Sequence, residues 1–305
     1  MDILNIIFSF VYQILESCSF LILAAIGMAI IYGMMGITNL AQGEFILIGA
    51  YSSSIFVNKL GVPLPVAILG GAAVTGIFGL IVDRVIMRRL YDRPMDSVVI
   101  TWGISIVLAQ ACFLVFGPTY TGVSIPLGAI SVGGRDYPVY RFLLMIIAAL
   151  LLAGMYWLFH YTRFGLHSRA TMQSRTMANA MGVNANKINA LTFMMGSALA
   201  GLCGGLYMPT MSLTPNYGQN FLVESFVTVL VGGGEPLTGT ILAGGALGSV
   251  QGFLSLAFNT YYGKIGILLM AIVFIRILPN GFSGAHNTLK MKKKVKAAMK
   301  AREAE

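Results

Sequence analysis

Three polar stretches, set in an otherwise apolar chain, hold the side chains able to do chemistry. The first is Asn39-Leu40-Ala41-Gln42-Gly43-Glu44, between two apolar segments. Ionisable groups among membrane helices are costly and mostly face cavities or partners. Asn39 and Gln42 offer amides to a polar solute. Glu44 falls in a first helical turn, where the helix dipole favours a carboxylate, and Gly43 permits a sharp bend. The same residues could equally cap and pin a broken helix. The second stretch is Gly218-Gln219-Asn220, with Glu224 and Ser225 just inside the next apolar segment. Glu224 either marks a membrane interface or faces a cavity. The third runs from Arg163 to Lys187 and includes Arg169, Arg175, Ala178, Ala180 and Gly182. Its spacing predicts a short helix over Met177–Met181, ended by Gly182. Ala178 and Ala180 are small enough for that helix to dock into another protein's groove.

The signatures of catalysis are missing. There is no G-x-x-x-x-G-K-[ST] phosphate loop, no H-E-x-x-H helix and no G-x-S-x-G elbow. His160, His167 and His286 are scattered, and Cys18, Cys112 and Cys203 lie apart in apolar stretches. No catalytic residue, disulfide framework or metal site is expected, and no cofactor held by this chain.

The elements that position these stretches follow from composition. The 305 residues are 57% hydrophobic and 10% charged. A soluble domain carries about 25% charged residues, so an ordinary cytosolic enzyme is excluded. Apolar runs near 8–33, 44–58, 62–82, 97–117, 139–161, 188–210, 221–233, 239–259 and 261–278 are candidate spans, since a crossing helix needs about 20 residues. The second and seventh are short, and each adjoins a glycine-bearing break: Asn39–Glu44 and Gly232–Gly239. Irregular backbone at membrane depth survives only inside protein or against water. Paired broken segments in the two halves point to a transport path between repeats. The first segment follows no basic leader and is expected to be retained.

The net charge of +9 is a record of topology. Fifteen of the 20 Lys and Arg residues fall in three groups: residues 84–93, 163–187 and the tail 290–302. By the positive-inside rule all three face the cytoplasm, which places the N-terminus outside. Nucleic-acid binding is thereby not expected, although the tail could lie on anionic lipid. Small residues recur at four-residue spacing in Gly196, Ala200 and Gly204, and in Gly244, Gly248 and Gly252. Such stripes let membrane helices pack closely. The expectation is an all-α polytopic membrane protein with about eight or nine transmembrane helices, some broken or re-entrant. The membrane domain covers 1–285, and a basic cytoplasmic tail covers 286–305.

Several of these residues carry a family resemblance. N-L-A-Q-G-E-F at 39–45 resembles the N-[LM]-[AS]-[HQ]-G-E stretch in the permeases of branched-chain amino acid and urea/amide ABC importers. The R-A-x(8)-A-x-x-M-G-V-N pattern from Arg169 to Asn184 resembles their coupling helix. V-L-V-G-G-G-E-P-L-T-G-T at 229–240 and I-L-P-N-G at 277–281 are similar to two late stretches. The resemblance implies a bacterial inner (plasma) membrane importer with a second homologous permease subunit, two ABC ATPases that bind ATP and Mg, and an external solute-binding protein. It makes Asn39, Gln42, Glu44, Gln219, Asn220 and Glu224 pathway residues and Arg169–Gly182 the ATPase contact. Gly218-Gln219, Glu224-Ser225-Phe226 and Gly263-Lys264-Ile265 look more like the urea-type permease. Gln42 stands where His is commoner, and the coupling stretch lacks the usual acidic residue. The urea-type stretches, with the neutral amides of Asn39, Gln42, Gln219 and Asn220, make urea or a short amide the expected solute, with a branched-chain amino acid as the alternative. Outside this family, the chain could be an ion-coupled carrier or an intramembrane enzyme.

Overall fold

A computed structural model describes residues 3–91, 93–132, 135–278 and 281–284. The expected basic tail lies outside the described residues, as do Pro279 and Asn280. Among the described residues the chain forms eleven α-helices and one small hairpin. Seven helical stretches are long and apolar enough to cross a membrane. They coincide with seven of the nine expected spans. The other two are the short ones, now helices of 19 and 14 residues.

The long helix α1, Ile3–Met35, ends at Gly36, whose φ of 67° only glycine adopts readily. The chain then doubles back. Gln42, which opens α2 (Gln42–Leu60), packs against Gly27, two turns before the end of α1. Helix α3, Leu64–Val85, returns antiparallel to α2, and α4, Pro94–Phe116, follows a 3-10 turn at Met87–Arg89. The connection expected to be turn-rich carries the hairpin β1 (Ala129–Val132) and β2 (Arg135–Pro138), with Ala129 opposite Pro138. Tyr137 seats this hairpin on Phe8 and Tyr12 of α1. Helix α5, Val139–Tyr161, leads to two short helices, α6 (Arg163–Gln173) and α7 (Arg175–Ala180).

The second half repeats the manoeuvre upside down. Helix α8, Ala185–Tyr207, is followed by a 3-10 turn and an irregular return. The Tyr217 hydroxyl donates to the Gly204 carbonyl at 3.0 Å, so α9 (Gln219–Gly232) starts back inside the bundle. Helices α10 (Pro236–Ala257) and α11 (Thr260–Ile277) complete it. The most extensive helix contacts are α1 on α10 and α3 on α8, which exchange when α1–α4 is matched to α8–α11. The lesser contacts α2 on α8 and α9 on α1 exchange likewise. Because α1 and α8 begin at opposite ends of the bundle, this is an inverted repeat, an arrangement that transporters build around a central path.

Small residues make the repeat possible. The Gly196–Gly204 stripe of α8 faces Gly27 and Ile31 of α1 and Ile46 of α2. The stripe Gly244, Gly248 and Gly252 of α10 lies on Ile22, Cys18 and Ile14 of α1. With no water to drive association, close backbone contact supplies dispersion and leaves no room for a side chain.

Candidate functional site

The two short helices meet end to end. An added Cβ on Gly43, near the start of α2, would lie 2.7 Å from the Gly218 carbonyl oxygen, immediately before α9. Gly43 thus serves a close approach rather than a bend, and the bend belongs to Gly36. Helix α2 starts at the buried Gln42 and α9 directly after the buried Gly218, and the two diverge from there toward opposite ends.

Around this junction the sequence-predicted polar residues separate into two groups. Asn39, Gln42 and Glu44 are fully buried. The side-chain Oδ1 of Asn39 accepts from the Ala41 N–H at 3.1 Å, so it folds the turn before α2 rather than capping the helix. Glu44 accepts from the Ser105 hydroxyl of α4 at 3.0 Å. The Nδ2 of Asn39, both amide atoms of Gln42 and Oε2 of Glu44 have no hydrogen-bond partner among the described residues. Buried polar atoms are nearly always paired, so this set is a reserve of unused donors and acceptors.

Asn220 and Glu224 belong to a separate place. They line a cavity of about 540 Å³ walled by α1, α9, α10, α11, the start of α5, the end of α8 and the segment that follows α8. Gln219 is exposed and lies outside it. This cavity is at the end of the bundle opposite the basic clusters. It holds four charges in two pairs. Lys264 Nζ lies 3.3 Å from Glu224 Oε1, and Arg141 is paired with Glu16. Ser17, Thr210, Thr214 and Tyr207 complete much of the wall. Glu16 is a single acid in an apolar run, and its partner lies 125 residues away. A lone acid in a span is visible in sequence, but its partner is not.

At the basic end, Thr162 caps α6 and Ser174 caps α7 by accepting from the Gly165 and Met177 N–H groups. The helix therefore begins two residues before the expected Met177. Gly182, at φ 83°, closes it with Val183 N–H donating to the Ala178 carbonyl at 2.9 Å. Ala178 is buried, while Ala180, Met177 and Met181 are exposed. Arg169 points to solvent and also bonds the Gly165 carbonyl. Arg175 reaches Asn186 of α8 and lies 5.1 Å from the centre of the Tyr91 ring. The Tyr91 hydroxyl in turn donates to the buried carboxylate of Asp83. Burial, followed by the Asp83 bond and charge, raises the Tyr91 phenol far above its ordinary value. The donor therefore stays protonated at physiological pH.

Inverted halves, two short helices that start beside each other and a polar cavity are the arrangement of a membrane transport subunit. The chain belongs to the branched-chain amino acid transport system / permease component family, whose pattern matches residues 10–278. It is 29% identical to the high-affinity branched-chain amino acid transport system permease protein BraD of Pseudomonas aeruginosa, over 86% of this chain and 91% of that one. It is 27% identical to the probable permease LivH of Methanocaldococcus jannaschii, over 87% and 88%. A ribose import permease of Escherichia coli, RbsC, also matches at 27% identity, over 84% and 78%. The chain is therefore a multi-pass inner-membrane permease subunit of an ABC importer and not an enzyme. Members of such importers work with ATPase and solute-binding partners.

Proposed function

We propose that this permease imports a branched-chain amino acid. In this reading it pairs with a second, homologous permease subunit, and the pair docks on two ATPases that bind ATP and Mg. An external solute-binding protein delivers the solute. The observation that carries the reading is the likeness, over nearly the whole chain, to permeases named for that substrate class. The α6–α7 segment supports the ATPase contact. It presents exposed Met177 and Met181 at the basic end on a helix fixed by two caps. Pathway roles for Asn39, Gln42, Glu44, Asn220 and Glu224 rest on their burial or cavity position. Gln219 fits that role less well, since it is exposed and outside the cavity.

A second reading, urea or a short amide, is favoured by one observation. The unpartnered Nδ2 of Asn39 and the two unpartnered amide atoms of Gln42 match a neutral amide solute donor for acceptor. Calorimetric titration of the solute-binding protein that serves this permease separates the two. The amino-acid reading expects heat from leucine, isoleucine or valine and none from urea. Heat from urea or formamide alone would replace it with the amide reading.

A further inference from the structure

The cavity opposite the basic end has a charge arrangement that the permease reading does not require. We propose that it is a binding site for the zwitterionic head group of an amino acid, with Glu224 receiving the ammonium group and Lys264 the carboxylate. The proposal rests on the amino-acid reading above and deepens it.

Glu224 is 5% exposed, and both its oxygens are shielded from solvent. Its Oε2 has no hydrogen-bond partner among the described residues, and neither has the neighbouring Gln251 Oε1. Lys264, by contrast, is about half exposed, with its ammonium 3.3 Å from Glu224 Oε1. A half-exposed cation thus covers a buried anion. Removing either partner from such a pair leaves an uncompensated charge, which is far more costly than exchanging one partner for another. A free amino acid can make that exchange. Its ammonium replaces that of Lys264 at Glu224, and the displaced Lys264 meets its carboxylate. The cavity is neutral before and after, because the second pair, Glu16 and Arg141, also sums to zero. A solute with a single charge can complete only half of the exchange. A neutral solute gains nothing from it. The volume, about 540 Å³, leaves room for an aliphatic side chain beside Phe20 and Tyr207, within the range of about 300–1,000 Å³ usual for small-molecule pockets.

The test uses the assembled permease–ATPase complex in detergent, without the binding protein, and ligand-observed NMR titrations. The probes are leucine, leucinamide (a cation) and N-acetylleucine (an anion). Leucine is expected to bind the wild type at least tenfold more tightly than either analogue. Glu224→Gln should shift the preference toward N-acetylleucine, and Lys264→Gln toward leucinamide. The double exchange Glu224→Lys with Lys264→Glu should recover a preference for leucine. A pair that merely clamps α9 to α11 would weaken all three probes together, and that result overturns the proposal. So does a wild type that fails to prefer leucine. If Glu224→Gln does not assemble, the charge-preserving Glu224→Asp variant decides. It must keep the wild-type order of the three probes, and loss of that order sinks the site. Leucine uptake by the wild-type importer with an unchanged order in the glutamine variants rejects the site alone. Urea uptake without leucine uptake rejects both the site and the reading on which it rests.

Discussion

A single methyl group separates tolerance from disruption at the junction of the two short helices. Gly43 faces the Gly218 backbone, and a Cβ there would come within 2.7 Å of a carbonyl oxygen that cannot rotate away. Overpacking of this kind costs about 1–3 kcal/mol. Gly43→Ala is therefore expected to lower the thermal stability of the purified subunit and to reduce uptake. Gly103, in the middle of α4, has nothing within 4 Å of its would-be Cβ. There alanine should stabilise by up to about 1 kcal/mol through helix propensity. Thermal melts of the two variants, run side by side, check this contrast. If Gly43→Ala melts like Gly103→Ala, the close approach of α2 and α9 is not real. The sequence marks Gly43 as special but not its role, because a glycine needed for a bend and one needed for contact look identical until the opposing backbone is known. The same limit hides the Glu16–Arg141 and Glu224–Lys264 pairs. Each member is legible as an odd charge, and the pairing depends on helices far apart in the chain.

The α6–α7 segment shows how an element can convey movement. Ser174, Asn179 and Gly182 fix α7 through local hydrogen bonds, while Arg175, Tyr91 and Asp83 join it to the turn after α3 and to α8. Tyr91→Phe removes the donor to a buried carboxylate, which typically costs about 1–3 kcal/mol. If this chain of contacts carries the ATPase stroke, the same change should lower solute moved per ATP hydrolysed, measured in proteoliposomes. Equal losses in transport and hydrolysis would argue for a purely structural role. Met181→Asp places a charge on the exposed apolar tip of α7 and should abolish co-purification of the ATPases, whereas Gly182→Asn should be tolerated, since asparagine accepts a left-handed backbone better than most residues. Persistent co-purification of Met181→Asp would remove α7 from the interface. At this scale the sequence is readable where hydropathy speaks. All nine apolar segments became helices. Helix α6 leaves no hydropathy signal, because it is polar and short and depends on the Thr162 cap and on packing against α5.

The whole molecule is two inverted halves around one crossing, with its charges sorted by end. The positive-inside rule and the fold agree on a single threading. The hairpin and Lys264 lie at one face, and Arg84–Arg93 with the α6–α7 segment at the other. Cysteine substitutions at Asp136 and Arg169 in an otherwise cysteine-free chain should therefore label from opposite sides. In intact cells, a membrane-impermeant maleimide should reach only the first. In the sequence the repeat shows only as two broken segments. Its proof lies in which helices pair, since inverted halves need share packing and not residues. The charge excess was legible as topology, whereas the substrate was not. Related permeases bear the names of solutes as different as amino acids and ribose, and specificity resides in a few side chains on a shared frame. The most direct measurement is uptake of radiolabelled leucine by proteoliposomes holding this chain, its partner permease and the ATPases, with binding protein outside and ATP inside. Leucine accumulation is expected to require ATP, to survive collapse of ion gradients and not to be inhibited by urea. Accumulation without ATP or ATPases would contradict this, as would urea uptake with no uptake of leucine.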